Sequence, residues 1–483
     1  MSATTDINQT PLSPQLPVGQ EIIFAVANQT AVANQLRVKF IAQVYISSTM
    51  PNLGQLVGTF KTTPNNAGVG MFDFSNVVES HVKADNLAYN VSKYKGVFTT
   101  DNNRHPLHLI DKFSLNANAV KYMNIRFAVE YLGATDSEGN QDNNIVREQV
   151  GTHSYSEIYT IFNGYLKYTD HLEENYSSVP AGFGYDLTTF YPTGAVIASK
   201  KFLTNSPVNL YANLEDYGTL AFLTPSSSVA SDVNTITFTY YDSTGTPIGT
   251  PDIVDRDYGS GAYSNWDAGV KKQLVYFGCY PGNLQNWSTN FQALVTAGTI
   301  EGGYYRIQVK DSTTPIAFQS VKTYTINVNC PNTKGYESIR LTWLNQWGAW
   351  DYYTFTKKSV KSISTQGSTY NQLGGTWNES RYRIDSFKGG KKAFRVNATE
   401  KITMNTGFVI EDDTVMFEEL INSPEVYILE GYQTDGTQAA LNQYVTPARL
   451  TTSSFTRKTV ANDRLMQYTF EVEKSKTLRT QAV

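Results

Sequence analysis

The chain has 483 residues and a formal net charge of −4, with charged residues at 17% and hydrophobic residues at 40%. At roughly 150 residues per domain this length points to about three packed modules. An acidic balance without a concentrated basic surface excludes an ordinary nucleic-acid binder, which must neutralise phosphates. The apolar content is drawn from Tyr (32), Phe (24), Thr and Val, not from Leu at helical spacing, and that bias favours strands over helices.

Residues 1–19 carry no basic region followed by an apolar run, so no secretory signal is expected and they read as an N-terminal arm. No later run approaches the ~18 apolar residues that span a bilayer. A soluble chain made in a cytoplasm, without membrane insertion, is the expectation. In "LRVKFIAQVYI", Leu36, Val38, Phe40, Ala42, Val44 and Ile46 alternate with polar positions, the period of a half-buried strand. A short helix follows near Ser75–His81, with Asp73 or Ser75 as cap. Alternation returns at Met123, Ile125, Phe127, Val129 and Tyr131, and with "SEIYTIFNGYL" this run makes a long-looped hairpin. Residues 20–190 read as one β domain. The loop between, Asp136–Asn144, offers carboxylate and amide oxygens, yet its glycine falls fourth where a calcium loop needs it sixth, so it reads as a solvated loop.

Residues 200–330 hold about seven short strand signals separated by Gly, Pro, Asp and Ser turns, with no helical pattern among them. That spacing predicts an immunoglobulin- or fibronectin-like β-sandwich. Cys279 and Cys330 have no zinc-ligand spacing. They are expected as buried reduced thiols, with a mutual disulfide as the alternative.

The last module, 337–483, opens with "SIRLTWLNQWGAWDYYTF", in which three tryptophans, two tyrosines and a phenylalanine stand within eighteen residues. Ile339, Leu341 and Trp343 share a face, "NQWGA" turns at Gly348, and Trp350–Phe355 returns. Alternation sends Trp343 into a core and leaves Trp347, at the turn tip, as the candidate interface residue. The rest is β-rich with one short helix at "DDTVMFEELI". Lys388, Lys391, Lys392 and Arg395 surround Gly389 and Gly390 and read as a solvated hairpin turn.

The chemistry is sparse. His105 and His108 lack an acidic neighbour that would complete a metal site, and no nucleophile elbow, phosphate loop, dinucleotide fingerprint or zinc-protease motif occurs. Asp351, among aromatic rings, is the best single candidate for a glycosidase carboxylate, but one acid without a partner makes no mechanism. No catalytic residue, cofactor or metal is expected.

The segments "FLTNSPVNLYANLEDYGTLAFL", "SIRLTWLNQWGAWDYYTF", "LINSPEVYIL" and "EIIFAVA…VGMFDFSNVV" resemble segments shared by large structural proteins of tailed bacteriophages, notably phages of Bacteroidetes and marine hosts. The resemblance implies a multi-copy, non-catalytic component of the tail, connector or baseplate, assembled in the host cytoplasm. It also implies other virion proteins and further copies of the chain as partners, and it supplies no binding residues. The expected fold is mainly β, several tandem sandwich-like modules with a few short helices. The alternative function is a carbohydrate-binding adhesin or receptor-binding tail protein facing host surface glycan, with a glycan-cleaving enzyme third.

Overall fold

The structure, a computed structural model, describes residues 4–11, 15–48, 54–84, 113–116, 119–167, 202–223, 235–255, 274–310, 323–328, 335–430, 445–454, 456, 466–476 and 478–479. It is mainly β, with several sheets and short helices. The chain divides into two compact units. Among the described residues the first takes those up to 328 together with Leu344–Asp351, and the second takes the rest.

In chain order the first unit carries β1 (Asp6–Gln9), β2 (Gln15–Pro17), β3 (Ile23–Ala27), α1 (Gln29–Asn34), β4 (Lys39–Ser47), β5 (Gln55–Thr62), β6 (Val69–Asp73), α2 (Ser75–Glu79), β7 (Phe113–Asn116), β8 (Val120–Leu132), β9 (Val146–Glu148), β10 (Ser154–Tyr155) and β11 (Tyr159–Phe162). It continues with β12 (Asn209–Ala212), β13 (Thr219–Leu223), β14 (Thr235–Tyr241), β15 (Asp252–Asp255), β16 (Leu274–Gly278), α3 (Pro281–Trp287), α4 (Thr289–Thr296), β17 (Tyr304–Lys310) and β18 (Tyr324–Val328). The order β2-β11-β8-β4-β5, with β9 and β10 also on β8, makes the largest sheet of this unit.

The alternation in β4 and β8 becomes one buried face, because Phe40, Ala42, Val44 and Ile46 meet Met123, Ile125, Phe127 and Val129 across an antiparallel register. Apolar side chains opposite one another on a covered face are what stabilise such a pair. Leu36 falls outside this pattern at 70% exposed. Arg37 takes a left-handed φ of 57°, so the strand begins only at Lys39. Neither Asp73 nor Ser75 caps α2: Phe74 holds the N-cap position without a side-chain capping bond, while Asp73 Oδ1 accepts from the amides of Ser75 at 3.0 Å and Ile22 at 3.1 Å just before the helix.

Three expectations are corrected here. Residues 1–19 are not a separate arm, since β1 pairs antiparallel with β3 and β2 pairs parallel with β11. The blocks 20–190 and 200–330 are not separate modules: β7 pairs with β16 in the order β13-β16-β7, and both blocks lie in the first unit. The block 200–330 is sandwich-like, with Phe238 of β14 and Phe277 of β16 meeting at 6.5 Å between two different sheets. It is not purely antiparallel, however. In the sheet β12-β18-β17-β14-β15 the first pair is parallel, and α3 and α4 interrupt the strands. Pro281 starts α3, where its missing N–H costs nothing, and the Ser288 hydroxyl caps α4 by accepting from the Phe291 amide at 2.8 Å.

The second unit is built on one sheet, for which β19 (Ile339–Leu344), β20 (Trp350–Phe355), β21 (Ser359–Gln372) and β22 (Gly390–Asn405) come first. After them come α5 (Thr414–Asn422), β23 (Val426–Leu429), β24 (Val445–Leu450), β25 (Thr469–Lys474) and β26 (Leu478–Arg479). The strand order is β20-β19-β23-β24-β25-β22-β21, with β26 also on β22. Leu341, Trp343, Phe355, Met404, Phe470 and Val472 form its core with Met416, Phe417 and Leu420 of α5. The helix lies flat on this core: Phe417 stacks on Phe470 at 5.3 Å and meets Tyr353 edge-on at 4.9 Å.

Candidate interface

The aromatic hairpin forms as its residues predict, but its tip is enclosed. Asn345 organises the turn, with its Oδ1 accepting from the amides of Trp347 and Ala349 at 3.0 Å each, while Gly348 takes a φ of +74°. Leu344–Asp351 belongs to the first unit, and there the turn is held on several sides. Asn345 Nδ2 donates to the Leu203 carbonyl at 2.8 Å, the Tyr165 amide donates to the Gln346 carbonyl at 3.0 Å, and the Tyr276 hydroxyl donates to the Gly348 carbonyl at 3.2 Å. A β-carbon on Gly348 would lie 2.2 Å from the Asn163 carbonyl oxygen, so only glycine permits that approach.

Trp347 is therefore corrected as an exposed anchor. It is 3% exposed, Trp350 2% and Trp343 0%. A tip at the end of a hairpin reaches solvent only if nothing else in the chain covers it, and alternation carries no information on that point. The same burial removes these rings as a sugar-stacking platform. Asp351, the candidate glycosidase acid, is 2% exposed and accepts a hydrogen bond from the Thr204 hydroxyl.

The remaining sequence candidates fall into ordinary places. Asp136 Oδ1 accepts from the amides of Glu138 and Asn140, and its other oxygen pairs with Arg147 at 2.7 Å, which closes the loop internally. The Asn140 amide first, with lesser help from Arg147, holds the Asp136 carboxyl below its usual value. Cys279 is a buried thiol, while Cys330, His105 and His108 lie outside the described residues. Among the described residues no cluster of three His, Cys, Asp or Glu side chains is arranged to hold a metal, and no helix is long and apolar enough to cross a membrane.

The feature that sequence reading missed is the arm made by β21 and β22. Their antiparallel register runs from Ser359 opposite Met404 to Gln372 opposite Gly390, with a bulge after Ser368. On the inner side, β25 pairs with β22 only over Lys401–Asn405 and β26 only over Asn397 and Ala398. Beyond Asn397 the arm is a two-stranded ribbon among the described residues, and β21 is an edge strand along its whole length. At the tip, Gly375 opposes Ile384, the Thr376 amide donates to the Arg383 carbonyl at 2.9 Å, and the Asp385 amide donates to the Gly374 carbonyl at 2.9 Å. The glycines have a reason here. A β-carbon on Gly375 would stand 2.1 Å from the Arg383 carbonyl oxygen and 2.7 Å from the Tyr382 ring.

This ribbon presents large apolar side chains to solvent. Trp377 is 84% exposed, Ile384 80%, Phe387 76%, Phe394 62% and Tyr382 60%. Single exposed hydrophobics are common on any surface, but five of them along one narrow ribbon make it the candidate interaction surface. The basic group read as a hairpin turn sits where the tip rejoins β22: Lys388 pairs with Asp385 at 3.1 Å, and Arg395 Nε donates to Asn397 Oδ1 at 3.0 Å. The available signal was the alternation of Tyr382 and Ile384 with Arg381 and Arg383, apolar on one face and cationic on the other.

Comparison with known proteins adds little. No protein-family model matches the chain, and no curated protein matches it. Among solved structures, trypsin-activated alpha-2-macroglobulin from Escherichia coli is 9% identical with a TM-score of 0.18, over 84% of this chain and 26% of that one. MtrC from Shewanella baltica OS185 is 10% identical with a TM-score of 0.13, over 67% and 68% of the two chains. The native conformation of the E. coli alpha-2-macroglobulin is 8% identical with a TM-score of 0.14, and this chain spans 38% of its length. Likenesses this slight bear on neither fold nor function.

Proposed function

We propose that the chain is a non-catalytic structural subunit of a multi-copy particle, a tail, connector or baseplate component of a tailed phage virion, which grips neighbouring proteins through the β21–β22 arm. One observation carries the reading. A chain that encloses its tryptophan-rich hairpin leaves Trp377, Phe387 and Phe394 uncovered on an edge ribbon. Edge strands are sites of pairing between chains, and buried aromatic anchors dominate protein interfaces. The segment resemblance to phage structural proteins supports the virion setting. The test is mass spectrometry of density-purified particles from the producing phage, with a parallel phage whose residues 373–389 are replaced by an Asn-Gly turn. The chain should be a stoichiometric particle component and the shortened form should be lost from particles. Absence of the chain from particles refutes the virion setting, and normal incorporation of the shortened form refutes the arm.

A second reading, glycan binding, rests on a different surface. Tyr211, Asn327, Tyr304 and Tyr241 form one row across β12, β18, β17 and β14, with Tyr211 66% exposed and Arg306 lying 4.9 Å over the Tyr241 ring. Aromatic rings beside amide and guanidinium groups are the elements a sugar site uses.

A further inference from the structure

We infer that the arm's partner is a second copy of this chain and that the contact is heterologous, the basic tip of one copy lying on an acidic surface of the next. This rests on the assembly reading above and adds the identity of the partner.

Charge is the first observation. Residues 359–405 hold eight of the chain's 39 basic residues and three of its 43 acidic ones, so the arm is +5 and the remaining chain −9. The second is how the arm uses its own acids. Glu379 is paired with Arg383 at 3.0 Å and Asp385 with Lys388 at 3.1 Å, while Arg381, Lys391 and Lys392 have no ion-pair partner among the described residues. The tip thus carries three cations that its own acids do not neutralise. The third is the ribbon itself. Two strands without a covering layer are marginal in water, and the exposed rings of Trp377, Phe387 and Phe394 need a surface to lie on.

These facts choose between geometries. A two-fold contact pairing one β21 edge with another would set +5 against +5, and like charges across an interface are strongly unfavourable. An arm on the body of a neighbour sets +5 against −9 and gives the cations acids to meet. A contact between two different patches repeats head to tail, closing into a ring or extending as a filament.

The experiment uses the full chain and two variants: Trp377→Ser with Phe387→Ser and Phe394→Ser, and Arg381→Glu with Lys391→Glu and Lys392→Glu. All six positions lie on the ribbon, so wild-type far-UV circular dichroism and unfolding midpoints are expected and serve as the folding control. Sedimentation velocity should show concentration-dependent self-association of the wild type. Each variant should weaken it roughly tenfold or more, the scale of losing one anchoring ring. Raising salt from about 0.05 to about 0.5 M should weaken it as well. The decisive arm is mixing. A tagged arm variant keeps its acidic surface, so it should accept one wild-type arm and cap wild-type assemblies into shorter ones. Failure of the variant to enter wild-type assemblies overturns the heterologous contact. A wild type that stays monomeric to about 100 µM, or that binds anionic vesicles or a single-stranded oligonucleotide without associating, overturns the second copy as partner. If it stays monomeric while the shortened form is still lost from particles, the assembly reading survives and this one does not.

Discussion

Replacing Gly348 with alanine should be among the most damaging single-methyl changes in this protein. The residue sits at φ +74°, and the added carbon would stand 2.2 Å from the Asn163 carbonyl oxygen, a backbone atom that no rotamer change can move. The left-handed conformation alone costs a residue with a β-carbon about 1–2 kcal/mol. To relieve the contact the turn must shift, which breaks or stretches three hydrogen bonds: Tyr165 N–H to Gln346 O, Tyr276 O–H to Gly348 O, and Gly348 N–H to Asn345 O. At about 0.5–1.5 kcal/mol each, with the conformational cost added, the loss is roughly 2.5–6.5 kcal/mol. Gly139 and Gly151 are the controls, since their φ values are +85° and +80° but a β-carbon on either meets nothing within 4 Å. Alanine there should cost only the conformational part, about 1–2 kcal/mol. Urea unfolding followed by tryptophan fluorescence measures all three. A Gly348→Ala midpoint equal to those of the controls would refute the close approach, and with it the enclosure of the hairpin tip.

Trp343→Ala and Trp347→Ala should each destabilise the unit that holds the ring by roughly 3–5 kcal/mol, as large-to-small core substitutions do. A Trp347→Ala protein that melts like the wild type would contradict the 3% exposure of that ring. At high pH, Tyr353 should report on the second unit. Burial pushes its phenol up to about 12 from 10.0, the Gly407 backbone works against this, and the Asp413 charge adds to it. A raised value favours the folded state below the unfolded value, so this contribution is whole below about pH 10 and is lost as pH rises through about 12. Tyr353→Phe should flatten the stability curve over that window, and an unchanged curve would show that another group governs it.

How much of this was legible depended on whether the controlling interaction was local. The alternation of Phe40 to Ile46 and of Met123 to Val129 states which side chains share a face, and the sheet honours it because both faces belong to one antiparallel pair. The helices α3 and α4 were missed because Thr, Asn and Gly weaken their helical pattern, although Pro281 and Ser288 marked both starts. The enclosure of Trp347 could not be read at all, since Leu203, Tyr165 and Tyr276, which bond its turn, lie far away in sequence. The arm failed for the opposite reason. Its pattern of Ser, Thr, Lys and aromatic residues suits a strand with neither face covered, and alternation is informative only where one face is buried.

The place of residues 344–351 also bears on how the protein is made. A ribosome that has released residue 329 has not yet supplied Leu344–Asp351, a piece of the first unit that comes only after most of β19, the first strand of the next unit, has been synthesised. At about 5–20 residues per second the delay is a few seconds at most. Until then Leu203, Tyr165 and Tyr276 lack the turn that bonds to them. Vectorial synthesis therefore cannot complete the two units in strict succession, and a chain stopped at residue 329 would be a first unit without the turn that Leu203, Tyr165 and Tyr276 bond.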